Sequence, residues 1–166
     1  MENPGRALLE PLSHEELRQH LAEHPLVEGM HPRHLQIMSD IVQQVDFDSG
    51  CYLFREGEPA DRVYLILHGS VMLETFNEEY GPIPIESLEA GDSIGWSGFI
   101  PPFDWRFDAK AVQPTVALVF ETARLNSICE MHNDFGYALM KRMAGLVEQR
   151  LNATKEHLHD IYGTRK

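Results

Sequence analysis

The 166-residue sequence has only two cysteines, few basic residues and no long apolar run. Two cysteines exclude a disulfide framework and any four-thiolate zinc or iron–sulfur site within one chain. Acidic residues outnumber basic ones 26 to 14, and the formal net charge of −12 opposes binding to nucleic-acid phosphates. No apolar stretch approaches the roughly 20 residues that span a bilayer, and residues 1–12 lack the apolar core of a signal peptide. We therefore expect a soluble, cytoplasmic, single-domain protein with no direct contact to nucleic acid or membrane.

Catalytic signatures are also absent from the sequence. It contains no G-x-S-x-G, H-E-x-x-H, C-x-x-C or P-loop motif, and no His-x-His on a predicted strand that could hold a metal in a β-barrel. His20 and His24 are four residues apart, but no third ligand stands at a suitable spacing. We expect no catalytic residue, no metal site and no enzyme activity.

Both ends of the chain show a helical pattern of apolar residues. In residues 1–45, Ser13 and Glu16 form a capping box, and Pro32 stands near the start of a second helix. Residues 123–162 are helical again, and one apolar stripe repeats there at alternating steps of three and four, as in a coiled-coil seam. The stripe consists of Tyr137, Met140, Ala144, Val147, Leu151, Thr154, Leu158 and Ile161. We predict that this helix forms a homodimer; packing of the stripe within the chain itself is the alternative.

The middle of the chain, residues 46–122, has the pattern of a mainly β region. Apolar and polar residues alternate with a period of two, and glycines interrupt the runs every eight to twelve residues. The pattern predicts strands at residues 52–55, 63–67, 70–76, 83–88 and 115–120. The predicted fold class is α+β, mainly β, with a sandwich or barrel between N-terminal helices and a long C-terminal helix.

One motif in the β region resembles a known family. Residues 50–71 read GCYLFREGEPADRVYLILHGSV. They match at every position the pattern G-x-x-L/I-F/I-x-x-G-E-x-x-D-x-x-Y-x-I/V-x-x-G-x-V, with which the β-roll of cyclic-nucleotide-binding domains begins. The resemblance covers nearly the whole chain and implies a jelly-roll-like β-roll with a C-terminal dimerisation helix. The chain ends about where relatives of the catabolite activator type begin their helix-turn-helix, so we expect a standalone regulatory domain.

The family's phosphate-binding cassette has a partial counterpart in residues 91–111. The resemblance implies a short helix that presents N–H groups to a cyclic phosphate, and an arginine that pairs with it. Gly95 matches the glycine of the family's Phe-Gly-Glu-like triplet, but Trp96 stands where the family has its glutamate. Arg106 is the best counterpart of the phosphate arginine, with a spacing to the following alanines about one residue short, and Phe107 replaces a small residue. Because an indole has no acceptor for a ribose hydroxyl, we do not expect cyclic AMP in the family's usual pose.

The candidate ligand site combines this cassette with one position on the C-terminal helix. In the catabolite activator branch a threonine on the dimer seam contacts the purine, and Thr154 stands at that position; the alternative is that Thr154 sets the register of the coiled coil. The candidate ligand-binding residues are Gly95, Trp96, Ser97, Arg106, Phe107 and Thr154.

Two function hypotheses follow from the aromatic residues of the cassette, which are Trp96, Phe99, Phe103, Trp105 and Phe107. In the first, the domain is a sensor that binds a cyclic nucleotide or a related small anionic ligand and signals through its dimer helix. In the second, it is a degenerate domain without a nucleotide ligand, acting as a dimeric interaction module for an unknown protein partner. The first predicts an open basic pocket. The second predicts a pocket filled by Trp96 or Trp105, with Arg106 paired to Asp104 or Asp108.

Overall fold

The computed structural model describes residues 10–163, which begin with two short helices. Helix α1 spans His14–Glu23 and helix α2 spans Pro32–Ile41. The predicted capping box is confirmed, because the Glu16 N–H donates to the Ser13 hydroxyl and the Ser13 N–H donates to the Glu16 carboxylate. The prediction that the chain has no signal peptide concerns residues 1–12, of which residues 1–9 lie outside the described part.

Eight strands follow the two helices. They are β1 (Gln43–Phe47), β2 (Tyr52–Phe54), β3 (Arg62–His68), β4 (Ser70–Asn77), β5 (Gly81–Glu89), β6 (Ser93–Ile94), β7 (Asp108–Ala111) and β8 (Thr115–Glu121). All five predicted strands are found, whereas β1, β6 and β7 were not predicted. The strands form two antiparallel sheets with the orders β1-β8-β3-β6 and β2-β7-β4-β5. The predicted β-roll is confirmed, but the two sheets do not close into a barrel.

Two apolar cores hold these elements together, one between the two sheets and one beneath the helices. Strand β3 serves both cores, because alternate residues of a strand face opposite sides. Tyr64 and Ile66 lie between the sheets, while Val63 and Leu65 lie beneath the helices. The first sheet is therefore covered on both faces.

The chain ends with helix α3 (Thr122–Met131) and the long helix α4 (Asn133–Tyr162). Phe135, Leu139 and Met143 bury one side of the first half of α4 in the core beneath the helices. In the predicted stripe, Met140 packs against that core. The large apolar side chains of the stripe that stay exposed are Tyr137, Val147, Leu151, Leu158 and Ile161. Within residues 10–163, no helix is long and apolar enough to cross a membrane.

Candidate ligand site between the roll and helix α4

A four-residue 3-10 helix, Trp96–Phe99, opens the cassette-like segment. Gly95 precedes it with a φ of 149°, and a Cβ at this position would lie 2.7 Å from the Cα of Val63 on β3. Only glycine allows so close an approach with this backbone conformation. The contact presses the segment against β3, so that Ser97 is buried and Trp96 lies half-buried between the two cores.

Trp105 fills part of the interior of the roll. Its side chain is 3% exposed, and its ring lies parallel to that of Phe54, with 3.6 Å between the ring centres and 7° between the planes. The ring of Tyr64 also stacks on Phe54, with 6.2 Å between the ring centres. Burial raises the pKa of the Tyr64 hydroxyl. This arrangement agrees with the filled pocket of the second hypothesis.

Arg106 points away from this interior and is exposed. The chain bends at Arg106 and Phe107, just before β7, and the arginine lies outside where Trp105 is buried. The expected ion pair of Arg106 with Asp104 or Asp108 is not found, and Arg106 has no hydrogen bond or ion pair with any of residues 10–163. Asp108 instead lies 3.3 Å from Nε of Arg55 and accepts a hydrogen bond from the backbone N–H of residue 56.

Arg150 of helix α4 lies at the opening between the two sheets. Its Nη1 is 2.7 Å from a carboxylate oxygen of Glu86 on β5, and its Nη2 donates to the carbonyl oxygen of Ser93 on β6 at 3.0 Å. The guanidinium carbon is 5.5 Å from the ring centre of Trp96. Because β5 and β6 are edge strands of different sheets, this one side chain joins both sheets to α4.

Arg150 is not among the ligand-binding residues predicted from the sequence. A signal was present, since the residue stands four positions before Thr154 and so lies on the same side of the helix. Its partner Glu86 is distant in sequence and could not be identified without the fold. The Arg150 side chain is 14% exposed, and its Nε is buried without a hydrogen-bond partner in the described part of the chain.

A groove of about 560 Å³ lies between the β4–β5 hairpin and α4. This volume is within the range of roughly 300–1,000 Å³ found for small-molecule sites. The groove is lined by Met72, Pro84, Ile85, Glu86, Ser87, Ala153, Thr154, His157 and Leu158. The Thr154 hydroxyl donates to the carbonyl oxygen of Arg150 at 2.9 Å. Glu86 connects the groove with Arg150, whose guanidinium lies over the Trp96 ring. Of the predicted ligand-binding residues, Thr154 lines the groove; Gly95, Trp96, Ser97, Arg106 and Phe107 do not.

Within residues 10–163, no group of three His, Cys, Asp or Glu side chains could hold a metal ion.

The β-roll with a cassette-like segment and a helix across its opening corresponds to a known domain family. The sequence profile of the cyclic nucleotide-binding domain matches residues 44–132, more than half of the chain. The chain belongs to the cyclic nucleotide-binding domain family. Members of this family are regulatory domains. The match confirms the expected β-roll and the resemblance of residues 50–71 to the family.

The proteins similar to this chain differ in length and in the ligand that binds or activates them. The chain is 24% identical over 144 residues to a CRP-like cAMP-activated global transcriptional regulator of Mycobacterium tuberculosis. That alignment covers 87% of this chain and 62% of the regulator, so the chain spans less than two thirds of that relative's length.

Two solved structures show the same fold. A cyclic nucleotide-binding domain from Methylobacillus flagellatus superposes with a TM-score of 0.75 and 21% identity over 92% of this chain and 85% of that one. The regulatory subunit of a cAMP-independent protein kinase A from Trypanosoma cruzi, bound to guanosine, superposes with a TM-score of 0.66 and 23% identity over 87% of this chain and 51% of that one.

Proposed function

We propose that this cyclic nucleotide-binding domain is a cytoplasmic regulatory sensor. A cyclic nucleotide or a related small anionic ligand binds between the roll and α4, and a homodimer through α4 transmits the signal. The position of Arg150 carries this proposal, because its guanidinium joins α4 to both sheets beside a groove of suitable size.

The ligand contacts come from the two sides of the opening. Thr154 of α4 lines the groove, whereas Gly95, Trp96 and Ser97 of the roll do not, and we expect these three to contact the ligand once Arg150 leaves Glu86. Arg150 supplies the positive charge, since hydrogen bonds between a guanidinium and an anion are stronger than those between neutral groups. The relatives support a nucleoside-containing ligand, because one is described as cAMP-activated and another as bound to guanosine.

Release of the Arg150–Glu86 ion pair provides the signal. An anion that binds Arg150 competes with the Glu86 carboxylate for the same guanidinium, and it loosens the link between α4 and β5. The ligand therefore favours a different position of α4 to the extent that it binds Arg150 more tightly than Glu86 does.

The exposed stripe of α4 supports the dimer part of this proposal. The side chains of Leu151, Leu158 and Ile161 are each at least half exposed, on the half of the helix that extends past the buried residues. A second copy of the same helix covers such a stripe with a heptad-like seam, as the spacing of the residues predicts.

Thermal-shift measurements test the ligand, with cyclic AMP, cyclic GMP, cyclic dinucleotides and guanosine as probes and calorimetry on each hit. A ligand at 100 times its dissociation constant stabilises the folded state by about 2.7 kcal/mol, which is several degrees for a chain of this size. We expect Arg150→Gln to abolish the shift and Glu86→Gln to increase the affinity, because the internal competitor is removed. Arg106→Ala is the matched control and keeps the shift.

The outcome separates the candidates. Loss of the shift in Arg106→Ala, but not in Arg150→Gln, would support the contact expected from the sequence and refute the role of Arg150. No shift with any probe would favour the second hypothesis, a dimeric interaction module without a nucleotide ligand. The stacking of Trp105 on Phe54 inside the roll is the observation that supports this second candidate.

A further inference from the structure

An apolar loop follows the 3-10 helix and faces solvent. Ile100, Pro101, Pro102 and Phe103, here called the 100–103 patch, are four consecutive apolar residues, and all are exposed. Ile100 is 54% and Phe103 is 49% exposed. Exposed apolar residues in single positions are common, whereas a contiguous exposed group is a candidate interaction site.

The backbone holds Phe103 in a conformation that exposes its ring. Its φ is +65°, in the left-handed region that costs free energy for a residue with a Cβ. Two hydrogen bonds fix it there, because the Phe103 N–H donates to the Ile100 carbonyl oxygen and the Ala60 N–H donates to the Phe103 carbonyl oxygen, both at 2.8 Å. Strain of this kind is concentrated at functional sites.

The surroundings of the patch are predominantly acidic. The Trp105 N–H donates to the carbonyl oxygen of Glu58, and Pro59 bridges to Asp104, so the loop lies beside the turn that precedes β3. Four carboxylates belong to this region, those of Glu56, Glu58, Asp61 and Asp104. Three exposed arginines, Arg55, Arg62 and Arg106, belong to the same region. Arg55 lies 3.3 Å from the Asp108 carboxylate, and Arg62 has Glu121 as its cross-strand neighbour. The net charge around the patch is negative.

We propose that the 100–103 patch is a docking site for a basic amphipathic segment of a partner protein. Apolar side chains of the partner cover Ile100 and Phe103, and its flanking lysines or arginines face the carboxylates around them. The site is separate from the groove beside α4 and does not depend on whether that groove binds a ligand.

Fluorescence anisotropy with two labelled 15-residue peptides tests this site on the full chain. Both peptides carry leucines at helical spacing, and their polar face is lysine in one and glutamate in the other. We expect the lysine peptide to bind at least tenfold more tightly than the glutamate peptide. Phe103→Gly weakens its binding at least tenfold without lowering the melting temperature, because glycine accepts the positive φ without strain.

Phe76→Ser is the matched control, since Phe76 is 62% exposed at the distant β4–β5 hairpin, next to acidic residues. It leaves the binding unchanged if the patch is the site. Equal weakening by Phe76→Ser and Phe103→Gly, or no weakening by Phe103→Gly, would refute the proposal and assign the binding to the net negative charge of the protein. Equal affinity for the two peptides, or no binding of the lysine peptide, would refute it as well.

Discussion

Replacement of Trp105 by alanine removes the largest side chain from the space between the two sheets. The indole is almost fully buried and stacks in parallel on Phe54. Truncation of a buried Trp or Phe to alanine costs about 3–5 kcal/mol, and an aromatic stack adds about 0.5–1.5 kcal/mol beyond its buried area. We therefore expect a loss of about 4 kcal/mol in the free energy of unfolding, and a melting temperature lower by about 8–16 °C.

Urea unfolding followed by far-ultraviolet circular dichroism measures this loss, because the substitution also removes one of the two tryptophans. Trp105→Phe keeps a ring on Phe54 and loses about 1–2 kcal/mol, while Trp96→Ala, at a half-buried position, loses less than Trp105→Ala. A loss below about 1 kcal/mol for Trp105→Ala would show that the indole does not support the roll, and the interior would have to be regarded as an open pocket.

Three further substitutions test other parts of the structure. Leu151→Asp places a charge in the exposed stripe of α4, and light scattering after size exclusion is expected to show a monomer; a wild-type chain that is already monomeric would contradict the seam. Gly95→Ala brings a Cβ to 2.7 Å from the Val63 backbone and is expected to cost at least about 2 kcal/mol, whereas Gly145→Ala in open space on α4 costs nothing or stabilises the helix. Burial lowers the pKa of His24, whose Nδ1 accepts a hydrogen bond from the Leu26 N–H at 3.2 Å. As the pH falls, the unfolded chain therefore protonates His24 near pH 6.5, and the folded chain protonates it only at a lower pH. The free energy of unfolding is retained above pH 6.5 and decreases below it. Thermal melts from pH 7 to pH 5 are expected to show a smaller decrease for His24→Gln than for the wild type, and parallel curves would exclude this role.

Much of the fold was predictable because its signals are local. The capping box at Ser13 and the glycine-punctuated strands between residues 50 and 71 depend on neighbouring residues and on alternation along one strand. The short strands β6 and β7 were missed, since two to four residues carry too little periodicity to be recognised.

The candidate site was less predictable, because it depends on contacts between distant segments. Trp105 is buried and its neighbour Arg106 is exposed, in a segment of turns and bends where side-chain directions follow no regular period. The Arg150–Glu86 pair joins a helix to an edge strand, and although Arg150 stands four residues before Thr154, nothing in the sequence identifies Glu86 as its partner. Sequence periodicity locates the faces of elements, but it does not show which faces meet.

The division of α4 into a buried first half and an exposed second half has a consequence for how the helix forms. Isolated helices of fewer than about 12–15 residues are marginal in water, and most helical stability in proteins comes from tertiary packing. From Leu151 onward the large apolar side chains are at least half exposed. The proposed homodimer would make the length of ordered helix depend on protein concentration. We then expect amide hydrogen exchange beyond Leu151 to slow as the concentration rises, while exchange around Leu139 stays constant.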